Sequence, residues 1–174
     1  VRRDFPNFPQ NISSLIQNCR ELNTKRIIWV RADYNHEHSP WIHQFSRLHE
    51  GRIKPIVRPS SNWEKFATPL EDEMIINKTS WSATSGTSLL DTLKQDGIDT
   101  VLVCGLITSV CVQHSAFGVF EAGYRTILVQ DACADRGRKR HEAALSLYGD
   151  YMYEMRTVDS LETERKEQRE VKVK

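Results

Sequence analysis

Cys111 lies in a setting where a cysteine could act as a nucleophile. The segment Gly105–Val112 directly follows the apolar run Thr100–Cys104 and leads into a stretch with helical spacing. In an open parallel sheet, ligands bind at the carboxyl ends of the strands, where such a turn lies. Because the dipole and free N–H groups of a helix start favour an anion, a thiol there should ionise readily. The alternative is that Cys111 is a small apolar side chain packed between helix and sheet.

Where the helix after Gly105 begins affects whether Cys111 is better placed as a nucleophile or as a structural side chain. Thr108 or Ser109 is expected to cap it, because short hydroxyl side chains accept hydrogen bonds from the first free N–H groups. Cys111 would then lie in or near the first helical turn. A thiolate beside unpaired backbone N–H groups resembles a nucleophile with an oxyanion hole next to it. This setting favours catalysis without excluding a structural cysteine.

The elements that would hold this turn alternate between strand and helix. Continuous short apolar runs are typical of strands buried on both faces, and they predict strands at Ile27–Val30, Thr100–Cys104 and Thr126–Val129. Met74–Ile76 and Tyr153–Thr157 are shorter candidates for strands. Apolar residues at three- and four-residue steps predict helices over residues 12–22, 89–93, 112–120 and 143–148. Together these elements predict an α/β fold with three layers, in which helices cover both faces of an open, mostly parallel, Rossmann-like sheet.

The remaining segments are predicted to be loops and a tail. Residues 33–73 are irregular and rich in His, Trp, Pro and Ser, so we expect long loops with one short strand at Ile53–Val57. Loops between sheet elements are where ligand contacts tend to lie. Residues 162–174 alternate in charge, which is typical of a solvated helix that frays. We therefore expect one domain over residues 1–161 and a charged tail over residues 162–174.

The composition argues against several classes of protein. The 174 residues carry a net charge of +1, which argues against binding nucleic acid or a membrane surface by bulk charge. The four cysteines form no C-x-x-C pair, so neither a disulfide scaffold nor a zinc cluster is expected. The sequence has no G-x-G-x-x-G run for a dinucleotide and no apolar run long enough to span a membrane. We expect a cytoplasmic protein with reduced thiols.

A longer stretch around Cys111 resembles a known enzyme family. Residues 100–134 read TVLVCGLITSVCVQHSAFGVFEAGYRTILVQDACA, with a strand, a Gly-x-x-Thr-x-x-Cys-Val turn, a helix, Gly-Tyr, a second strand and Asp-Ala. Upstream, residues 75–83 read IINKTSWSA, a short strand that ends in lysine. These features are similar to those of the isochorismatase-like cysteine hydrolases, which include nicotinamidases, N-carbamoylsarcosine amidohydrolases and isochorismatases. The resemblance extends over about Arg26–Val158 and is most specific over Met74–Ala134.

The resemblance implies roles for particular residues. Cys111 would be the nucleophile and Lys78 its neighbouring cation, whose ammonium stabilises the thiolate and the negative charge that develops. Taken alone, Lys78 could be an ordinary surface lysine at a strand end. The family also has a cis peptide bond, which falls on Leu106–Ile107 and would direct the N–H groups of Ile107 and Cys111 at a substrate oxygen.

The third catalytic residue of the family, an aspartate, has no clear counterpart in the sequence. In the family this residue ends the first strand, whereas no apolar run precedes Phe5. Asp4 is a weak candidate for the base, because it follows no strand. We therefore expect the N-terminal strand of the family, with its aspartate, to be missing from these residues.

The loop after the first predicted strand could bind a metal. Nicotinamidases hold a metal with an Asp-x-His motif, but Asn35 stands in place of that histidine. Asp33, His36 and His38 could still bind a metal between them. The plainer interpretation is an exposed polar loop, so we expect neither a metal nor a cofactor.

Aromatic side chains are expected at the substrate pocket. Trp81 follows Lys78 closely and is the best candidate for a pocket wall, with Trp41 and Trp63 as further candidates. Thr108 is expected to line the pocket as well. Each tryptophan could equally pack the edge of the core.

These features favour hydrolysis of a small molecule by a cysteine nucleophile, with an amide-type C–N bond as the expected target. Cleavage of the vinyl ether of isochorismate needs no cysteine and is the second alternative. A third is a family member that has lost catalysis and acts as a binding module. By analogy with the family we expect a homo-oligomer, either a dimer or a tetramer. We expect it to bind a small-molecule substrate and to bind neither nucleic acid nor a membrane.

Overall fold

The computed structural model describes residues 1, 3–22, 24–34, 39–52 and 63–164. Five helices lie wholly within these ranges, namely α1 (Phe8–Glu21), α2 (Pro40–Leu48), α3 (Leu89–Gln95), α4 (Gln113–Glu121) and α5 (Arg138–Tyr148). The strands are β1 (Ile28–Ala32), β2 (Met74–Lys78), β3 (Thr100–Leu106), β4 (Arg125–Ala134) and β5 (Glu154–Arg156). A π-helical segment, Thr108–Val112, joins β3 to α4, and we call it the Cys111 turn. None of the helices in these ranges has the length and apolar character needed to cross a membrane.

The strands run parallel and form two sheets. β1 pairs with β2, and β3, β4 and β5 pair in that order. Strands and helices alternate along the chain as predicted, and the α/β fold class is confirmed. The predicted open sheet is divided, because no strand in the described ranges pairs with both β1 and β3.

Helices cover both faces of the sheet formed by β3, β4 and β5. Leu128 and Val129 are successive residues of β4 and point to opposite faces. On the face of Val129, α1 packs its apolar stripe, which includes the buried residues Phe8, Ile12 and Leu15. On the face of Leu128, α4 and the Cys111 turn pack through Ala116 and Val112. The predicted cover of helices on both faces is therefore present on this sheet.

A further apolar cluster holds the two sheets together. Leu93 of α3 and Val119 of α4 are buried against Ile76 of β2. Ile28 of β1 and Val101 of β3 pack against the same cluster. Since burying an apolar side chain of this size contributes about 1.5–3 kcal/mol, this cluster fixes β2 relative to β3. It therefore fixes the two strand ends that carry the candidate site.

The prediction of loops throughout residues 33–73 is wrong at α2. This helix is capped by Ser39, whose hydroxyl accepts the N–H of Ile42 at 3.5 Å. Pro40 occupies the first turn, where its missing N–H costs no hydrogen bond. The helix has only nine residues and none of them is fully buried, so its apolar pattern was too short to stand out. The strand predicted at Ile53–Val57 lies outside the described residues.

The boundary predicted at residue 162 falls within a helix. This helix begins at residue 158 and is described as far as residue 164, and residues 165–174 lie outside the described part. The N–H of Val158 donates to Asp131 Oδ1 at 3.0 Å, which anchors the start of the helix to β4. The division into a domain and a tail stays a prediction.

Candidate active site

The carboxyl ends of β2 and β3 bring Lys78 and Cys111 together. Lys78 is the last residue of β2, and Cys111 lies in the turn that follows β3. The distance between Lys78 Nζ and Cys111 Sγ is 3.3 Å, a hydrogen-bonding distance for sulfur. The two residues are thus neighbours, as expected, and their catalytic roles stay predictions.

The Lys78 side chain is held as a buried ammonium. Only 3% of the residue is exposed, and Nζ donates to the carbonyl oxygens of Ser80 (2.6 Å) and Trp81 (2.8 Å). Burial lowers the pKa of Lys78, while the charge of Cys111 and the hydrogen bond to it act in the opposite direction. A buried cation is costly without a compensating anion. No carboxylate among the described residues is bonded to Lys78, and Cys111 Sγ lies within hydrogen-bonding distance of Nζ.

Tyr34 is a third polar side chain at the site, and it was not predicted from the sequence. Its hydroxyl lies 3.0 Å from Cys111 Sγ and accepts a hydrogen bond from Lys78 Nζ at 3.2 Å. Its ring also lies 5.3 Å from Nζ in a cation–π contact. Tyr34 follows the end of β1 by two residues, so the strand-end rule that pointed to Cys111 would have found it too.

The Cys111 turn is held by buried side chains, although the predicted cap is wrong. Ile107 precedes the turn without a side-chain cap, and the Thr108 hydroxyl lies 2.8 Å from His141 Nδ1. The N–H of Ser109 donates to the Asp135 carboxylate at 2.7 Å. The acceptor at this helix start therefore comes from the residue after β4, a contact that no local pattern indicated.

Asp135 offers a direct test of how this turn is held. Its side chain is fully buried, and it accepts the N–H groups of Ser109 and of Arg136 (2.6 Å). We expect Asp135→Asn to lower the free energy of unfolding at pH 7 by about 1–3 kcal/mol, because these N–H groups lose a charged acceptor. Equilibrium denaturation measures the change. The exposed Asp99→Asn is the matched control and should change stability by less than about 0.5 kcal/mol.

The effect of Asp135→Asn on the free energy of unfolding should depend on pH. Burial opposes the charge of Asp135, but the hydrogen bonds outweigh it and lower the pKa of the carboxyl. Such a group stabilises the fold above its unfolded pKa of about 3.9, and the contribution is lost as the pH falls through the folded value. The difference in the free energy of unfolding between wild type and Asp135→Asn should therefore become smaller below about pH 3.9. A difference that does not change with pH would contradict this account of the turn.

The backbone before the Cys111 turn agrees with the family pattern. The peptide bond between Leu106 and Ile107 is cis, as the resemblance implies. The Ile107 carbonyl accepts the N–H groups of Val110 at 3.0 Å and Val112 at 3.2 Å, which closes the turn around Cys111. The oxyanion-hole role of the N–H groups of Ile107 and Cys111 stays a prediction.

The segment after Lys78 is packed against α4. Ala83 is buried, and its N–H donates to Ser115 Oγ at 2.9 Å. At Gly118 of α4, a Cβ atom would overlap with the Thr84 side chain, so the segment lies close to the helix there. These contacts fix the loop whose carbonyl groups hold the Lys78 ammonium.

The two residues expected at the substrate pocket differ in their surroundings. The half-buried Trp81 ring packs edge-on against His114 with ring centroids 5.2 Å apart. His114 follows Cys111 by about one helical turn, so Trp81 borders the helix that follows Cys111. Thr108 is 1% exposed, and its hydroxyl is bonded within the protein. The pocket role of each residue stays a prediction.

The weak candidate for the base is engaged elsewhere. The Asp4 carboxylate is paired with Arg3 at 2.9 Å, and this hydrogen bond lowers its pKa. The Asp4 carbonyl accepts a hydrogen bond from Arg138 at 2.7 Å. Within the described ranges, no hydrogen bond joins Asp4 to Cys111.

The possible metal loop is described only in part. Asp33 is exposed, and His36 and His38 lie outside the described residues, so the expectation for this loop is not tested. In the part of the chain that the structure describes, no three His, Cys, Asp or Glu side chains converge on a metal position.

Known proteins resemble this chain in sequence. The isochorismatase domain model matches residues 2–160, which is most of the chain. The chain belongs to the isochorismatase family. Maleamate amidohydrolase of Pseudomonas putida, a relative, is 36% identical over 96 residues, which are 53% of this chain and 45% of that protein. Nicotinamidase 3 of Arabidopsis thaliana is 35% identical over 74 residues, which are 42% of this chain and 37% of that protein.

The isochorismatase-family fold is shared with solved structures. The cysteine hydrolase from Pseudomonas syringae pv. phaseolicola has a TM-score of 0.76 at 20% sequence identity, over 90% of this chain and 79% of that chain. At this level of identity the likeness shows a common fold. The chain spans less than half of the length of each of these two curated relatives.

Proposed function

We propose that this chain provides the Cys111–Lys78 part of a thiol-dependent hydrolase that cleaves an amide-type C–N bond in a small molecule. The observation that carries the proposal is the 3.3 Å contact between the buried Lys78 ammonium and Cys111 Sγ. A fixed positive charge beside a cysteine at a helix start favours the nucleophilic thiolate. Membership of the isochorismatase family supports hydrolysis, and the relatives named maleamate amidohydrolase and nicotinamidase support an amide substrate.

In the proposed reaction, the Cys111 thiolate attacks the carbonyl carbon of the substrate and forms a C–S bond. The carbonyl oxygen takes up the negative charge, which the N–H groups of Ile107 and Cys111 stabilise. The C–N bond then breaks, the nitrogen leaves after taking up a proton, and the acyl group stays on the sulfur. Water attacks this thioester and passes one proton to the group that acts as general base, and the C–S bond breaks. The carboxylic acid is released and the sulfur is restored as the thiolate.

The thiol proton needs a group that accepts it and returns it to the leaving nitrogen. In the family pattern an aspartate does this as general base and then general acid. No carboxylate in the described part of the chain is bonded to Cys111, and the identity of this group stays a prediction from the resemblance. Lys78 acts through its charge, because an ammonium has no lone pair with which to accept the proton.

Ammonia release from maleamate and nicotinamide, the amides in the names of the relatives, tests the proposed reaction. We expect turnover of an amide to depend on Cys111 and quenched reactions to carry an acyl group on the Cys111 peptide, detected by mass spectrometry. Turnover that persists in Cys111→Ala would contradict a cysteine nucleophile. Cleavage of isochorismate that does not depend on Cys111 would favour the vinyl-ether alternative, and a slowly alkylated Cys111 would favour a binding module.

A further inference from the structure

The Tyr34 hydroxyl lies between the Lys78 ammonium and the Cys111 sulfur, at 3.2 Å and 3.0 Å respectively. An ammonium is a donor without acceptor capacity, so Lys78 donates in the first of these hydrogen bonds. The phenol oxygen is then an acceptor for Lys78 and still carries one hydrogen of its own. Cys111 Sγ lies within reach of that hydrogen. The geometry is that of a relay in which the ammonium donates to the phenol and the phenol donates to the sulfur.

We propose that Tyr34 is a further catalytic residue, whose hydroxyl donates a hydrogen bond to the Cys111 thiolate and keeps the sulfur ionised and oriented for attack. This inference rests on the proposed function, because the sulfur that Tyr34 contacts is the proposed nucleophile. Hydrogen bonds to ionised acceptors are roughly twice as strong as neutral ones. The bond therefore stabilises the thiolate more than the thiol. The phenol keeps its proton throughout, so no proton transfer is assigned to it.

The surroundings of Tyr34 keep it in this donor form. Desolvation, together with the hydrogen bond and the charge of Cys111, raises the pKa of Tyr34 above its ordinary value. The side chain therefore carries its proton at neutral pH. A neutral phenol between a cation and an anion can serve both groups at once, accepting from the cation and donating to the anion.

The ring of Tyr34 is fixed independently of its hydroxyl. Trp41 of α2 packs edge-on against it with ring centroids 5.2 Å apart, and Phe45 supports Trp41 from the next turn at 5.9 Å. On another side, Lys78 Nζ lies 5.3 Å from the ring centroid. The helix that the sequence did not reveal thus positions a group at the site. Removing the hydroxyl alone should leave the ring in place.

Other titratable side chains near the Cys111 turn have partners of their own. Asp135 accepts backbone N–H groups, and His141 is bonded to the Thr108 hydroxyl. His114 Nδ1 lies 2.7 Å from the Val110 carbonyl. Asp33, next to Tyr34 in the chain, is exposed. The described side-chain contacts of the sulfur are with the Lys78 ammonium and the Tyr34 hydroxyl.

The test is the pH profile of Cys111 alkylation by iodoacetamide in Tyr34→Phe, with the modified cysteine identified by mass spectrometry. The variant keeps the ring and removes one charge-assisted hydrogen bond, so the alkylation rate near pH 6–7 should fall about tenfold. The rates of variant and wild type should converge above about pH 10, where an ordinary thiol is also ionised. Tyr124→Phe is the matched control. Tyr124 is half-buried and directly precedes the amino end of β4, whereas the Cys111 turn follows the carboxyl end of β3, so this variant should leave the pH profile unchanged.

The possible outcomes separate this inference from the proposed function. A Tyr34→Phe profile that superposes on the wild-type profile overturns the role of Tyr34 and leaves the nucleophile standing. A rate that falls equally at every pH also overturns it, since that is the mark of altered access to the sulfur. A wild-type rate no higher than that of free cysteine contradicts the proposed nucleophile itself.

A second pair of variants covers the case in which Tyr34→Phe disturbs the fold. Tyr34→Gln supplies a hydrogen-bond donor without a ring, and Tyr34→Leu supplies neither. We expect alkylation of Cys111 near neutral pH to be faster in Tyr34→Gln than in Tyr34→Leu. Equal rates in this pair overturn the proposal.

Discussion

Cys111→Ser is expected to reduce hydrolysis of any amide that the wild type cleaves by at least about 10³-fold. Serine keeps the size and shape of the side chain, so the turn should be preserved. Its hydroxyl, unlike a thiol, is not ionised near neutral pH by one neighbouring ammonium. The loss should therefore appear in kcat and in kcat/KM alike, measured under steady-state conditions.

A second cysteine provides the control for this substitution. Cys19 is a half-buried residue of α1 that packs against the apolar cluster between α1 and the Val129 face of β4. Cys19→Ala should keep most of the activity. If Cys111→Ser kept more than about a tenth of the wild-type kcat/KM, a covalent role for the sulfur would be contradicted.

Lys78→Met is expected to slow alkylation of Cys111 at pH 7 by about 10- to 100-fold, because the thiolate loses its charged neighbour. Hydrolysis should slow to a similar extent. The free energy of unfolding should fall by about 1–3 kcal/mol, since the carbonyl groups of Ser80 and Trp81 lose their donor. The thiol adds no further cost, because without the ammonium it takes up a proton instead of remaining a buried charge. Alkylation rates and equilibrium denaturation measure the two effects separately.

The control for Lys78→Met is Lys94→Met. Lys94 is an exposed lysine of α3, and its loss should change neither the rate of Cys111 alkylation nor the rate of hydrolysis. The rates of Lys78→Met and wild type should also converge at high pH, where the thiol ionises without help. An alkylation rate that is the same in Lys78→Met and wild type at pH 7 would show that the ammonium does not stabilise the thiolate.

The features that could be predicted from the sequence are those with a strong local signature. Buried parallel strands read as continuous apolar runs, and the run at Thr100–Cys104 corresponds to β3. Because the carboxyl ends of parallel strands lie at one edge of the fold, a lysine ending one strand and a cysteine following another could be expected to meet. The family pattern also predicted the cis bond before Ile107. The roles that it implies for Lys78 and Cys111 stay predictions.

The features that could not be predicted depend on contacts between distant parts of the chain. Tyr34 and Cys111 are 77 residues apart, and Ser109 and Asp135 are 26 apart. Such side-chain hydrogen bonds leave no periodicity in the sequence. The short helix α2 has a cap and a first-turn proline, but its apolar stripe is too brief to separate from the irregular stretch around it. The division of the strands into two sheets also left no local signal.

The thiolate character of Cys111 is the central claim, and its alkylation rate in the wild type tests it most directly. Burial raises the pKa of Cys19 and of Cys133, so these two thiols should react slowly. Cys104 is exposed, so its modification has to be distinguished from that of Cys111 by mass spectrometry. At pH 6 an ordinary thiol, with a pKa of about 8.5, is less than about 1% ionised. We predict that iodoacetamide modifies Cys111 at this pH at least about tenfold faster than free cysteine, with one equivalent incorporated. A rate no faster than that of free cysteine would contradict the account.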